Sequence, residues 1–194
     1  MSWQIAKSFD FCYGHRVWSQ QLNAEFADDL KCACRHLHGH EGRVEVTLGS
    51  HAPDGYSAPL TNGMVTDFRH TEWLKRFLNE TLDHKFIIDR NDPLVDNILD
   101  ACTSTGNNLS PVMLGRGDGG LNYRAVGQRL DAAHGSSALI LEYTESFFVV
   151  DFVPTSENLA KWLLDIVAWK MASICSVVSV DWWETSKSHS LCLA

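Results

Sequence analysis

The chain has no run of basic residues: its 16 Lys and Arg are scattered among 24 Asp and Glu, leaving a net charge of -8. A polyanion is bound through clustered cations, so nucleic acid is not an expected partner. No apolar stretch approaches the roughly 20 residues that cross a bilayer, so no membrane partner is expected either. The first residues lack the basic start, apolar middle and small-residue cleavage site of a secretory signal. Six cysteines, at 12, 32, 34, 102, 175 and 192, show no disulfide-scaffold spacing in a chain of 194 residues. Reduced thiols and a cytoplasmic location are the expectation. Internal repeats and a domain linker are also missing. With 45% apolar and 21% charged residues, the chain is expected to form one domain, 1–194.

What is present is periodic. Residues 3–15 alternate, with Trp3, Ile5, Phe9, Phe11 and Tyr13 on odd positions, and His15 ends this strand in phase with the apolar set. Residues 16–37 read as a loop. A second strand, Gly42 to Leu48, carries Val44, Val46 and Leu48 on even positions, in phase with His38 and His40. Asp67 is placed to cap a helix with Trp73, Leu74, Phe77, Leu78 and Leu82 at helical spacing. Residues 89–137, rich in Asn, Asp, Gly and Ser, read as an insertion with partial structure. Its Arg116-Gly117-Asp118 recurs by chance in many chains, and its His134 has no expected role.

Residues 138–153 are β-prone, with a possible turn at Thr144-Glu145-Ser146. Leu159, Trp162, Leu163, Ile166, Val167 and Met171 then form one stripe of an amphipathic helix. From Ser176 to Glu184 a further strand puts Val178, Val180, Trp182 and Glu184 on one face, and a short last strand starts at Ser188. The order of elements predicts an α+β fold with an antiparallel sheet.

The chemistry concentrates in Cys32-Ala33-Cys34-Arg35-His36-Leu37-His38-Gly39-His40. In extended chain His38 and His40 project from one face and can grip a single cation. His15 is the candidate third ligand, and three neutral imidazoles with an open fourth position suit zinc. Cys34, four residues before His38, can work beside a metal without ligating it, because nearby positive charge favours the thiolate. Cys32 competes for that role, while His36 is out of phase and expected to face away. Asp83-His84 sets a carboxylate beside an imidazole, the pair expected of a proton relay, or of a helix end with a satisfied histidine. Glu184, pointing inward, needs a donor: a core salt bridge, or a ligand with adjacent N–H groups such as a 2-amino-4-oxo pterin ring.

Taken together, His15-Arg16, Cys34 to His40, Asp67-Phe68, Leu82-Asp83-His84, Pro154-Thr155-Ser156-Glu157-Asn158 and Glu184-Thr185 resemble the 6-pyruvoyl tetrahydropterin synthase-like family. The spacing from Cys34 to His-Gly-His is nearest its bacterial 6-carboxytetrahydropterin synthase branch, which serves queuosine and deazapurine synthesis. Cys32, six residues before His38, has the spacing of the pyruvoyl branch, so both are present. The resemblance covers roughly residues 3–89 and 148–187. It implies the tunnelling fold (T-fold), a four-stranded antiparallel sheet backed by two helices, assembled into a homo-oligomer, trimer or hexamer. It implies zinc on His15, His38 and His40, Cys34 as general base, and Asp83 with His84 as the acid/base relay. It further implies Glu184 as the pterin anchor, with Thr155, Ser156 and Glu157 lining the same pocket. The implied reaction converts 7,8-dihydroneopterin triphosphate to 6-carboxy-5,6,7,8-tetrahydropterin with loss of acetaldehyde and triphosphate. Alternatives are the pyruvoyl outcome and a noncatalytic pterin- or metal-binding oligomer.

Overall fold

The computed structural model describes residues 3–27, 29–50, 63–95, 98 and 145–194. The strands are β1 (Gln4–His15), β2 (His38–Gly49), β3 (Lys85–Asp89), β4 (Phe147–Val150), β5 (Ser176–Thr185) and β6 (Ser188–Leu193). Two α-helices accompany them among the described residues, α1 (Glu72–Thr81) and α2 (Ser156–Met171). The strand order is β4-β3-β1-β2-β5-β6. Two compact units divide within β1 and β2: residues 1–12, 40–83 and 155–194 form one, 13–39 and 84–154 the other.

In the first unit the expected alternation is realised. Val44, Val46 and Leu48 of β2 are buried, and β2 pairs antiparallel with β5, bringing Val46 opposite Val180 and Val44 opposite Trp182. Phe11 meets the edge of the Trp182 ring at 5.4 Å. Helix α2 packs on β5 and β6. It buries Leu159, Leu163, Val167 and Met171, each four residues from the next, the repeat of a single helical face. The Thr155 side chain caps it by accepting from the Asn158 N–H. The final strand begins at Ser188 as expected and pairs with β5.

Three local expectations are corrected. The apolar face of β1 is buried only from Phe9 onward, and Trp3 is 54% exposed. Periodicity identifies a face but does not say how far its cover extends. Asp67 caps a 3-10 turn, Phe68–Thr71, by accepting from the Arg69 N–H, and α1 starts one turn later. On β5, a register shift opposite Thr47/Leu48 leaves Val178 half-buried and turns Val177 and Ser179 inward.

The sheet itself also differs. It has six strands and is mixed, where a four-stranded antiparallel sheet was expected. The two additional strands belong to the second unit. There β3 pairs parallel with the end of β1, Tyr13–Lys85 to His15–Ile87, and β4 pairs parallel with β3, Phe86–Phe147 to Asp89–Val150. Phe86-Ile87-Ile88 and Phe147-Phe148-Val149-Val150 are short unbroken apolar runs, typical of parallel strands buried on both faces. Residues 147–150 lie within the stretch expected to be β-prone, whereas Phe86-Ile87-Ile88, too short and without a period of two, gives no strand signal of its own. Asp89 closes β3, and Asp92 to Val95 follow as a turn. The greater part of the expected insertion at 89–137, including Arg116-Gly117-Asp118 and His134, lies outside the described residues, as does 138–144.

Candidate metal centre and surrounding residues

His15 is the last residue of β1 and is buried, with 1% of its surface exposed; His38 and His40 are half-buried at the start of β2. One ring nitrogen from each of the three lies within 4.8 Å of the others, a set that can hold a metal ion.

Two of these rings are oriented from behind. The Nδ1 of His15 lies 2.6 Å from the Pro154 carbonyl oxygen, and the Nδ1 of His38 lies 2.8 Å from the His36 carbonyl oxygen. A carbonyl only accepts, so each Nδ1 must carry its proton and each neutral ring presents a lone pair at Nε2. Those two Nε2 atoms face each other at 3.0 Å. Two lone pairs that close repel unless a cation or a proton sits between them. Nitrogens held about 2.0–2.1 Å from a tetrahedral zinc are themselves a little over 3 Å apart, so the residues fit a zinc ion. Carbonyl partners behind ligating imidazoles are the usual means of fixing tautomer and ring direction.

Two glycines permit this approach. A Cβ on Gly14 would sit 2.6 Å from the Phe86 ring and 3.2 Å from the His38 carbonyl oxygen. A Cβ on Gly39 would lie 3.2 Å from the Tyr13 carbonyl oxygen. Glycine between the two histidines of β2 therefore brings backbone against backbone beside the rings.

Cys34 is exposed, on the 3-10 turn Ala33–Arg35, and its carbonyl accepts from the Val17 N–H at 2.8 Å. Cys32 precedes that turn and is half-buried. His36 is exposed, as expected, but its backbone is what orients His38. Asp83 follows α1, and its Oδ1 accepts from the Cys12 N–H at 2.8 Å. His84 has φ of 59°, the only non-glycine residue in the left-handed region among those described. That conformation costs a residue with a Cβ roughly 1–2 kcal/mol, and such residues gather at functional sites.

Glu184 is half-buried near the end of β5. Ser156 Oγ lies 2.7 Å from Ser190 Oγ, and Ser190 pairs across the hairpin with Trp182, two residues before Glu184. The start of α2, with Thr155, Ser156 and exposed Glu157, is thus tied to the strand pair that carries Glu184. Sequence reasoning missed the Pro154 and His36 carbonyls. Backbone acceptors carry no residue-type signal, although Pro154 stood within a recognised motif.

The family model for 6-pyruvoyl tetrahydropterin synthase matches residues 4–192. The chain belongs to that family. It is an enzyme of the lyase type. A relative from Aquifex aeolicus named 6-carboxy-5,6,7,8-tetrahydropterin synthase is 31% identical over 98% of this chain and 97% of its own. The crystal structure of an uncharacterized protein from Wolinella succinogenes covers 100% of this chain and 98% of that one, at 44% identity and a TM-score of 0.80. The segment 89–137 therefore falls within the length both share with this chain. The 6-pyruvoyl tetrahydropterin synthase of Plasmodium vivax shares the fold at 13% identity, covering 99% and 97% of the two chains with a TM-score of 0.50. Among the described residues, no helix of this family member is long and apolar enough to cross a membrane.

Proposed function

We propose that the chain is a zinc-dependent lyase converting 7,8-dihydroneopterin triphosphate and water to 6-carboxy-5,6,7,8-tetrahydropterin, acetaldehyde and triphosphate. The observation that carries this reading is the convergence of His15, His38 and His40 in a chain related along nearly its whole length to a 6-carboxytetrahydropterin synthase. Zinc held by the three imidazoles supplies Lewis acidity toward the hydroxyls of the substrate side chain. The Cys34 thiolate removes a proton from that side chain, and its exposure leaves the sulfur open to substrate. His84, paired with Asp83, moves the second proton. Glu184 accepts from the pterin amino group and ring N–H, and Thr155, Ser156 and Glu157 line the same pocket.

The same reading takes the chain as a single tunnelling-fold domain over 1–194 with 89–137 inserted. It acts in the cytoplasm as a homo-oligomer, trimer or hexamer, in queuosine synthesis.

Incubating zinc-loaded protein with dihydroneopterin triphosphate and identifying products by mass spectrometry tests it. Acetaldehyde with a carboxypterin is the expected outcome. A pyruvoyl product moves the assignment to the branch whose spacing Cys32 matches. No turnover overturns the reading.

A further inference from the structure

The three residues immediately after β1, Arg16, Val17 and Trp18, carry an arrangement that the proposed chemistry does not use. Asp89, the last residue of β3, and Asp92, in the turn that follows, are both buried, each with 2% of its surface exposed. A buried carboxylate is costly unless partnered. The Asp89 Oδ2 accepts from the Trp18 indole Nε1–H at 2.8 Å, and its Oδ1 accepts from the backbone and side-chain nitrogens of Asn91 at 2.9 and 3.1 Å. The Asp92 Oδ1 accepts from the Leu94 N–H at 2.8 Å, and its Oδ2 lies 2.8 Å from the Arg16 Nε. That last contact is ionic in character, since the Nε–H does not lie along a hydrogen-bond line.

The residues held this way flank chemistry. Arg16 directly follows His15, and Val17, between the two held residues, is buried and donates its N–H to the Cys34 carbonyl at 2.8 Å. One short segment therefore carries an imidazole of the metal set at its start, a tie to the thiol-bearing turn at its middle, and buried anchors on both sides of that tie. A surface loop that served only to connect β1 to β2 would not need two buried carboxylates to hold it.

We propose that Arg16, Trp18, Asp89 and Asp92 are positioning residues that set the placement of Cys34 relative to His15. None of the four touches the reacting atoms. The proposal rests on the metal-and-thiol reading above. The mechanism is geometric: a displacement of about 1 Å between a base and its target can cost roughly a hundredfold in rate.

Trp18→Phe and Asp92→Asn test it, because Asp92→Asn keeps shape while removing the charge, and Trp18→Phe keeps an aromatic ring while removing the indole N–H that Asp89 accepts. Arg43→Gln, which breaks the exposed pair with Asp10, is the control. Amide exchange at Val17, measured without metal or substrate, should quicken at least about tenfold in both variants while exchange at Val46 is unchanged. With zinc and dihydroneopterin triphosphate, kcat should fall roughly ten- to a hundredfold with little change in KM. In cobalt-loaded protein, the alkylation rate of Cys34 should lose the metal response seen in the wild type. The control should match the wild type throughout. Unchanged Val17 exchange overturns the proposal, and so does quickened exchange with wild-type kcat and a wild-type cobalt response. If the wild type neither binds cobalt nor turns over, the functional reading fails, and the exchange data alone decide whether the anchors hold the Cys34 tie. Should Asp92→Asn not fold, Trp18→Phe decides, since it retains a ring in the same place.

Discussion

The Nε2 atoms of His15 and His38 face each other at 3.0 Å, each ring backed by a carbonyl at its other nitrogen. An ion in that gap binds the folded state and not the unfolded one, so it must raise stability. With free zinc at a hundred times its dissociation constant the gain is about 2.7 kcal/mol. Thermal melts with zinc and with a chelator should separate accordingly, and His38→Ala should abolish the separation. Coincident wild-type melts would remove the metal from this site.

Gly14 tests how closely the two strands must approach. Gly14→Ala brings a Cβ to 2.6 Å from the Phe86 ring and 3.2 Å from the His38 carbonyl oxygen. Overpacking of this kind costs about 1–3 kcal/mol. Denaturation should show that loss, with weaker zinc binding by equilibrium dialysis. A variant with wild-type stability and affinity would show that the strands part without consequence.

The cysteines should separate by exposure. Cys12 and Cys34 are exposed, whereas Cys175 is buried and burial pushes its thiol above the ordinary value. Iodoacetamide with peptide mapping should label the exposed pair in native protein and Cys175 only after unfolding. Cys34→Ala should abolish turnover with zinc content retained. Loss of turnover in Cys32→Ala alone would transfer the base to Cys32.

His84 combines a left-handed backbone with a proposed proton-moving ring. His84→Gly removes the side chain from a conformation that glycine adopts freely. Stability should hold or rise by up to about 1 kcal/mol, while kcat falls roughly 10²–10⁴-fold. Retained activity would reduce His84 to a helix-terminating residue.

Asp181 provides a sign test with pH. Burial raises its pKa above 3.8, with His189 opposing the rise and Glu45 adding to it. The folded state thus holds the proton more tightly than the unfolded chain. Its contribution is full below 3.8 and is lost as pH rises through the folded value. Asp181→Asn should match the wild type in acid and be more stable at neutral pH, measured by urea midpoints. A variant less stable at neutral pH would show that the ion pair with His189 outweighs burial.

Much of this protein was legible without coordinates. Alternation placed Phe9, Phe11, Tyr13 and His15 on one face of β1, and spacing placed Leu159, Leu163, Val167 and Met171 on one face of α2. The pairing of His38 with His40 is equally local, set by backbone geometry within a few residues. Other features rest on partners far along the chain. Residues 85–89 become a strand because β1 offers a parallel edge, and the β-prone 147–150 takes its place in the sheet because β3 offers the next. The nitrogen that His15 turns toward His38 is decided by Pro154, 139 residues away. Periodicity records which side of a chain is apolar. Which backbone groups remain to be satisfied, and by what, is settled only when distant segments compete for them in the folded state.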